Sequence, residues 1–293
     1  MSTRNNQDRL GGAHDIHQDA PNLPTPETND GSDPTSKPMS FSTPTEFVEL
    51  PSKGKFYGEG HPLHGCDSVE IRFMTAKEED ILTSKTLLKK GLVLDRLLTN
   101  VIVNRNIKPE SLLIGDKNAL IVATRVTGYG PEYNTRMSCP ACGESEEHSF
   151  DLGDADVYPG VNDEEKSVTK TSSGTFIVKA PRTKADVEIR LLTGHDEKML
   201  QRVEEKRKRQ NLPESLATTS LNSFIVSVNG VNDPSYVQSF VENAPAADGK
   251  YLREAYKIIA PNVDLTFNFS CSACDHEQPL EVPFTADFFW PQR

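Results

Sequence analysis

Ser138-Cys139-Pro140-Ala141-Cys142 and Ser270-Cys271-Ser272-Ala273-Cys274 are the two stretches that decide the reading of this chain. Each closes a longer pattern. The first pattern opens with Val69-Glu70-Ile71-Arg72-Phe73-Met74-Thr75 and continues with Glu78-Glu79-Asp80-Ile81-Leu82. The second opens with Val187-Glu188-Ile189-Arg190-Leu191-Leu192-Thr193 and continues with Asp196-Glu197-Lys198-Met199-Leu200. One Cys-x-x-Cys pair supplies half of a structural zinc site, which takes four ligands. The direct completion places Cys139, Cys142, Cys271 and Cys274 around one structural Zn2+. The expected fold class is α+β: an internally duplicated β-hairpin–helices–zinc-knuckle unit, its two knuckles forming a zinc-ribbon-like site.

Working outward, each pattern reads as the same succession of elements. In the first, strands over 47–51 and 69–74 form a hairpin. Thr75-Ala76-Lys77-Glu78 is a capping box that opens a helix to about Lys90. Leu94, Leu97, Leu98, Val101 and Ile102 repeat at helical spacing. Asp116 is placed to cap a third helix carrying Leu120, Ile121 and Val122. Strands over 133–137 and 148–152 flank the first knuckle. In the second, Phe176-Ile177-Val178 matches the first strand, and Thr193-Gly194-His195-Asp196 repeats the capping signal. Leu200 to Lys208 extends the helix behind it, and Leu221, Ile225 and Val228 mark the next one. Strands over 265–269 and 280–282 flank the second knuckle.

These readings divide the chain into a polar disordered N-terminal tail (1–44), a first repeat (45–152), an acidic linker (153–173) and a second repeat with an aromatic C-terminus (174–293). The tail has no aromatic before Phe41 and is broken by Pro21, Pro24, Pro26, Pro34 and Pro38. Such a segment buries too little apolar surface to offset its ordering entropy. It is either inert or a tether that folds on a partner. Phe284, Phe288, Phe289 and Trp290 crowd the other end, either tucked on the core or presented to a partner as anchors.

Four protein thiolates would leave no open coordination position, so the expected zinc is structural. Two other readings of the cysteines remain: four thiols packed as small apolar groups, or a redox dithiol, which favours a helix N-terminus. His148 and His276 stand just beyond the knuckles and could substitute as ligands, although four cysteines suffice. Cys66 with His61 and His64 suggests a second site only weakly, and a loop with a spare cysteine is the ordinary reading.

Composition narrows the function. The chain has 293 residues, five cysteines and a net charge of −11. Acidity argues against general nucleic-acid binding, which needs positive charge against phosphates. No apolar run is long enough to span a bilayer, and no secretory signal is expected. There is no phosphate-cradling glycine loop and no nucleophile elbow. The basic run Lys206-Arg207-Lys208-Arg209 is flanked by Glu204 and Glu205 and reads as a solvent-facing helix. A non-enzymatic protein is expected.

Phe47-Val48-Glu49-Leu50-Pro51-Ser52-Lys53-Gly54-Lys55, followed by Ile71-Arg72-Phe73-Met74-Thr75-Ala76-Lys77-Glu78-Glu79, resembles the opening of T4-type bacteriophage baseplate hub subunits, some of them described as hub assembly chaperones. Asp116 before the apolar run from Ala119 to Ala123, Arg125, Gly128 and the Cys139/Cys142 pair are similar to that family's later pattern. The loop from Tyr57 to Asp67 departs from it as an insertion. The resemblance implies a binding role: contacts with baseplate hub or tape-measure proteins while the baseplate is built in the host cytoplasm, with or without retention in the virion. The rival from another class is a zinc-ribbon nucleic-acid-binding regulator, and a thiol oxidoreductase is a third.

Overall fold

Two threonines start two helices in the same way. Thr75 and Thr193 are N-caps whose amides donate to Glu78 and Asp196 three residues on, at 2.9 Å in each case. Both capping boxes are complete. They satisfy amide groups that a helix start leaves unpaired. An arginine three residues before each cap grips the same carboxylate. Arg72 reaches Glu78 at 2.6 and 3.1 Å, and Arg190 reaches Asp196 at 2.7 and 2.8 Å.

The computed structural model of the chain describes residues 43–160, 168–210, 215–282 and 286–289. Most of the expected tail and part of the expected linker lie outside them, as do Phe284 and Trp290. The described residues fall in one compact unit running from Thr43. Strands β1 (Thr45–Glu49) and β2 (Ser68–Arg72) form the first hairpin. Helices α1 (Ala76–Thr83), α2 (Lys85–Lys89), α3 (Val93–Val101) and α4 (Ile114–Tyr129) follow. Strands β3 (Glu132–Ser138) and β4 (Ser145–Asp151) carry the first knuckle.

The second half adds two short strands, β5 (Asp156–Tyr158) and β6 (Val168–Lys170), then β7 (Phe176–Lys179) and β8 (Asp186–Ile189). Helices α5 (Gly194–Arg209) and α6 (Leu216–Phe224), strand β9 (Ile225–Val228), and helices α7 (Pro234–Asn243) and α8 (Ala246–Ile259) come next. Strand β10 (Asn262–Asp264) pairs back to β5. Strands β11 (Thr266–Ser270) and β12 (Glu277–Glu281) carry the second knuckle. The order β6-β7-β8-β9 makes the one four-stranded sheet among the described residues.

Three expectations are corrected. The helix over 76–90 breaks at Ser84, whose ψ of 103° is extended. The Thr83 hydroxyl bonds the Glu79 and Asp80 carbonyls there, as hydroxyl residues do when they compete with helix continuation. Ile225 and Val228 belong to a strand rather than a helix. Their β-branched run favours extension, and it pairs with Ile189 and Val187. Asp116 does not cap α4; it lies in the first turn and its carboxylate turns inward. Within the expected linker, 156–158 and 168–170 pair into sheets.

The two halves share a core. Backbone bonds cross between them at Ile114 N to Leu192 O (3.1 Å) and Gly194 N to Leu112 O (2.9 Å). Gly115 sits so close to the chain after α8 that a Cβ would overlap the Pro261 carbonyl. Asp95 on α3 forms ion pairs with Lys117 on α4 (2.9 Å) and Lys198 on α5 (2.8 Å). The paired charges let a largely buried lysine, Lys117, sit at this junction.

Candidate metal centre

The hairpin β3–β4 ends in a turn tied by Cys139 N to Glu144 O (2.7 Å) and Gly143 N to Cys139 O (2.8 Å). The hairpin β11–β12 ends in one tied by Cys271 N to His276 O and Asp275 N to Cys271 O, both 3.0 Å. Gly143 and Asp275, each four residues after the first cysteine, take positive φ of 78° and 53°. Glycine does so freely, and aspartate is among the residues that tolerate it. The turns aim both cysteines of each pair to one side.

The hairpins then face each other. Phe150 packs on Phe267 at 4.3 Å between ring centroids, and His148 on Phe269 at 4.9 Å. Cys139, Phe269 and Cys271 form a small buried cluster with Met137, Phe267 and Leu280 around it. This contact brings all four expected sulfurs together, every one within 4.8 Å of the others. Cys139 Sγ lies 3.7 Å from Cys274 Sγ, and Cys142 Sγ lies 3.7 Å from Cys271 Sγ. Zinc–sulfur bonds near 2.3 Å in a tetrahedron set sulfurs about 3.8 Å apart, whereas a disulfide needs about 2.05 Å. The donor set therefore fits a tetrahedral, thiolate-preferring metal. All five cysteines are free thiols.

Two of these thiols are driven in opposite directions. Burial pushes Cys139 up, but the amides of Cys142 and Ala141 and the neighbouring sulfurs outweigh it and hold this thiol down to about 6. Cys274 is pushed up to about 12: the His276 amide favours its thiolate, but Cys142, burial, Cys271 and Cys139 together oppose it. Four adjacent thiolates need a cation to neutralise them, and a metal that binds here displaces protons.

Glu146 carried no mark in the sequence. From β4 it accepts from the Ser272 hydroxyl at 2.6 Å and the Ser272 amide at 3.0 Å, with Cys271 Sγ at 3.7 Å. The Ser272 hydroxyl is the main reason its carboxyl titrates below the ordinary range. One hairpin thus holds the turn of the other by a charge-assisted clasp.

The remaining candidates fall elsewhere. His148 stays among aromatics, its Nε2 enclosed with no hydrogen-bond partner among the described residues. His276 Nε2 meets Gln278 Oε1 at 3.1 Å. His61 bonds Ser111 and His64 bonds the Tyr57 carbonyl, while Cys66 is exposed. Phe288 and Phe289 are buried, and the Phe288 carbonyl accepts from the buried Arg125 at 2.9 Å. In the basic run, Lys208 and Arg209 pair with Glu204 and Glu205 one turn back.

The fold and site define a mixed α/β protein whose two halves each contribute one Cys-x-x-Cys hairpin to a four-sulfur cluster. A family model described as T4 bacteriophage base plate protein matches residues 43–290, nearly all of the described chain. The chain belongs to that family. No curated protein and no solved structure matches it. No helix among the described residues is long and apolar enough to cross a membrane.

Proposed function

We propose that the chain is a hub subunit or hub assembly chaperone of a phage tail baseplate. It binds hub or tape-measure proteins while the baseplate forms in the host cytoplasm, and it catalyses no reaction. The observation that carries this reading is the family match over 43–290. The acidic charge of −11 suits protein partners better than nucleic acid.

The cluster then serves as a structural Zn2+ site held by Cys139, Cys142, Cys271 and Cys274. A filled four-cysteine shell offers a substrate no coordination position. We further infer that the chain is an internal duplication. The Arg72–Glu78 and Arg190–Asp196 grips support it, as do a second pair of anchors. Asp116 accepts from the Ser52 amide and hydroxyl (2.9 and 2.6 Å). Asp248 accepts from the Thr183 amide and hydroxyl (2.9 and 2.8 Å). Lys53 and Lys184 follow with positive φ of 49° and 59°.

The test is co-purification of the tagged chain with hub and tape-measure proteins from infected cells, beside a phage that lacks it. The expected results are a stable complex and a failure to complete baseplates. Normal baseplates in its absence would end the reading. Tight nucleic-acid binding at low salt would favour the regulator instead.

A further inference from the structure

Strand β7 is bonded on both sides, by β8 and by β6. Strand β1 occupies the like position in the first half, with β2 beside it and no second neighbour among the described residues. The likeness extends across each sheet. Ile71 of β2 bridges to Ile102 just past α3, and Ile189 of β8 pairs with Ile225 just past α6. Among the described residues, the place that β6 fills in one half has no occupant in the other.

The open edge has a definite chemistry. The Phe73 amide bonds the Pro44 carbonyl and the Leu50 amide bonds the Asp67 carbonyl. With the register Thr45↔Arg72 to Glu49↔Ser68, the even-numbered positions of β1 carry the ladder. Alternation turns the N–H and C=O groups of Thr45, Phe47 and Glu49 outward. The Phe47 side chain is 68% exposed, the highest value for a large apolar residue among those described. An unpaired edge bearing an exposed aromatic is a template for strand addition.

We propose that β1 is the docking edge for an extended segment of another tail protein, with a large apolar side chain opposite Phe47 and a lysine or arginine opposite Glu49. Main-chain bonds to the outward groups supply affinity, and the alternating side chains fix register. The basic position follows from charge: Glu46 and Glu49 are exposed on a chain of net −11, so an acidic strand is repelled. The turn sequence that joins β6 to β7 has no counterpart directly before β1. β6 reaches β7 through Thr171-Ser172-Ser173-Gly174-Thr175, where Gly174 takes a φ of 82°. Phe41-Ser42-Thr43-Pro44 has no glycine and ends in proline. The proposal rests on the baseplate reading and adds to it the surface and the partner's chemistry.

Amide hydrogen exchange tests it, on the full chain alone and in purified baseplates or a co-expressed hub assembly intermediate. The Phe47 and Glu49 amides should exchange fast in the free chain and at least about tenfold more slowly in the assembly. Phe47→Lys should keep the melting temperature and metal content of the parent yet lower incorporation about tenfold. If the chain is incorporated while these amides stay fast, or if Phe47→Lys incorporates normally, the docking edge is refuted and the baseplate reading stands. Amides already slow in the free chain mean that its own residues or a second copy cover the edge, which also refutes it. Absence of the chain from every baseplate and intermediate overturns the underlying reading instead.

Discussion

The Tyr57 hydroxyl donates to the Asp116 carboxylate at 2.7 Å while accepting from the Leu113 amide at 3.0 Å. One buried oxygen thus pins the loop before β2 to the start of α4. Tyr256 makes only half of this arrangement, accepting from the Leu192 amide at 3.1 Å. Burial drives the Tyr57 hydroxyl far up, with the nearby Asp116 charge next, so it stays a donor.

Tyr57→Phe removes a bond to a charged acceptor and strands a buried amide, so it should destabilise by about 2–3 kcal/mol. Tyr256→Phe strands one amide and should cost about 1 kcal/mol. Urea unfolding with unchanged m-values checks both. Equal effects would mean that the Asp116 bond contributes nothing net.

That difference bears on what could be read in advance. Both capping boxes, the knuckle strands and each cysteine pair follow from short-range rules, because Thr-x-x-Glu, alternation and Cys-x-x-Cys act within a few residues. Asp116 and Glu146 do not. Their partners, Ser52 and Ser272, lie far away in sequence, and a lone acid in a helix turn or an acidic strand looks like an ordinary solvated carboxylate. The strand β9 was hidden for a related reason. Leu221, Ile225 and Val228 keep helical spacing, and only pairing with β8 decides for extension. Helix α7 did carry a local signal. Asp233 caps it by accepting from the Tyr236 amide, with Pro234 at its first position.

Acid should weaken the fold through the two arginine grips. Burial pushes Glu78 up, but Arg72 and Thr75 outweigh it and hold the carboxyl down to about 2. Asp196 is likewise held to about 2 by Arg190 and Thr193 against burial. A depressed carboxyl contributes stability that is full above its unfolded value, about 4, and is lost as pH falls through the folded one. Asp116 runs the other way, since burial raises it despite the Ser52 and Tyr57 bonds. The urea midpoint should therefore fall between about pH 4.5 and pH 2. Glu78→Gln should start lower at neutral pH and fall less steeply across that window. A parallel decline in parent and variant would show that Glu78 is not responsible.

Metal analysis of the purified chain should find one zinc per chain. Cys139→Ser and Cys271→Ser should each lose most of it, because the site needs thiolates from both hairpins. A ligand that binds only the folded state stabilises it by about 4 kcal/mol at a thousandfold excess over Kd, so chelation should lower the melting temperature clearly. The large core away from the knuckles should keep the chelated chain folded, unlike an isolated zinc finger. A chain that holds no metal and melts at the same temperature with and without chelator would leave the cysteines as packing groups only.

Glu146→Gln separates the clasp from the ligands. The substitution keeps the size of the side chain and one acceptor oxygen, but removes the charge that strengthens the bonds from Ser272. Partners of this kind hold ligands in place and commonly alter metal affinity by about 10–100-fold. Competition against a chromophoric chelator should show weaker zinc binding at unchanged stoichiometry. Ser272→Ala removes the hydroxyl bond but keeps the amide bond, and should lie between parent and Glu146→Gln. If both variants bind zinc as tightly as the parent, the clasp orders only the hairpin surface. The sulfurs would then be positioned by the turns at Gly143 and Asp275 and by the Phe150–Phe267 contact alone.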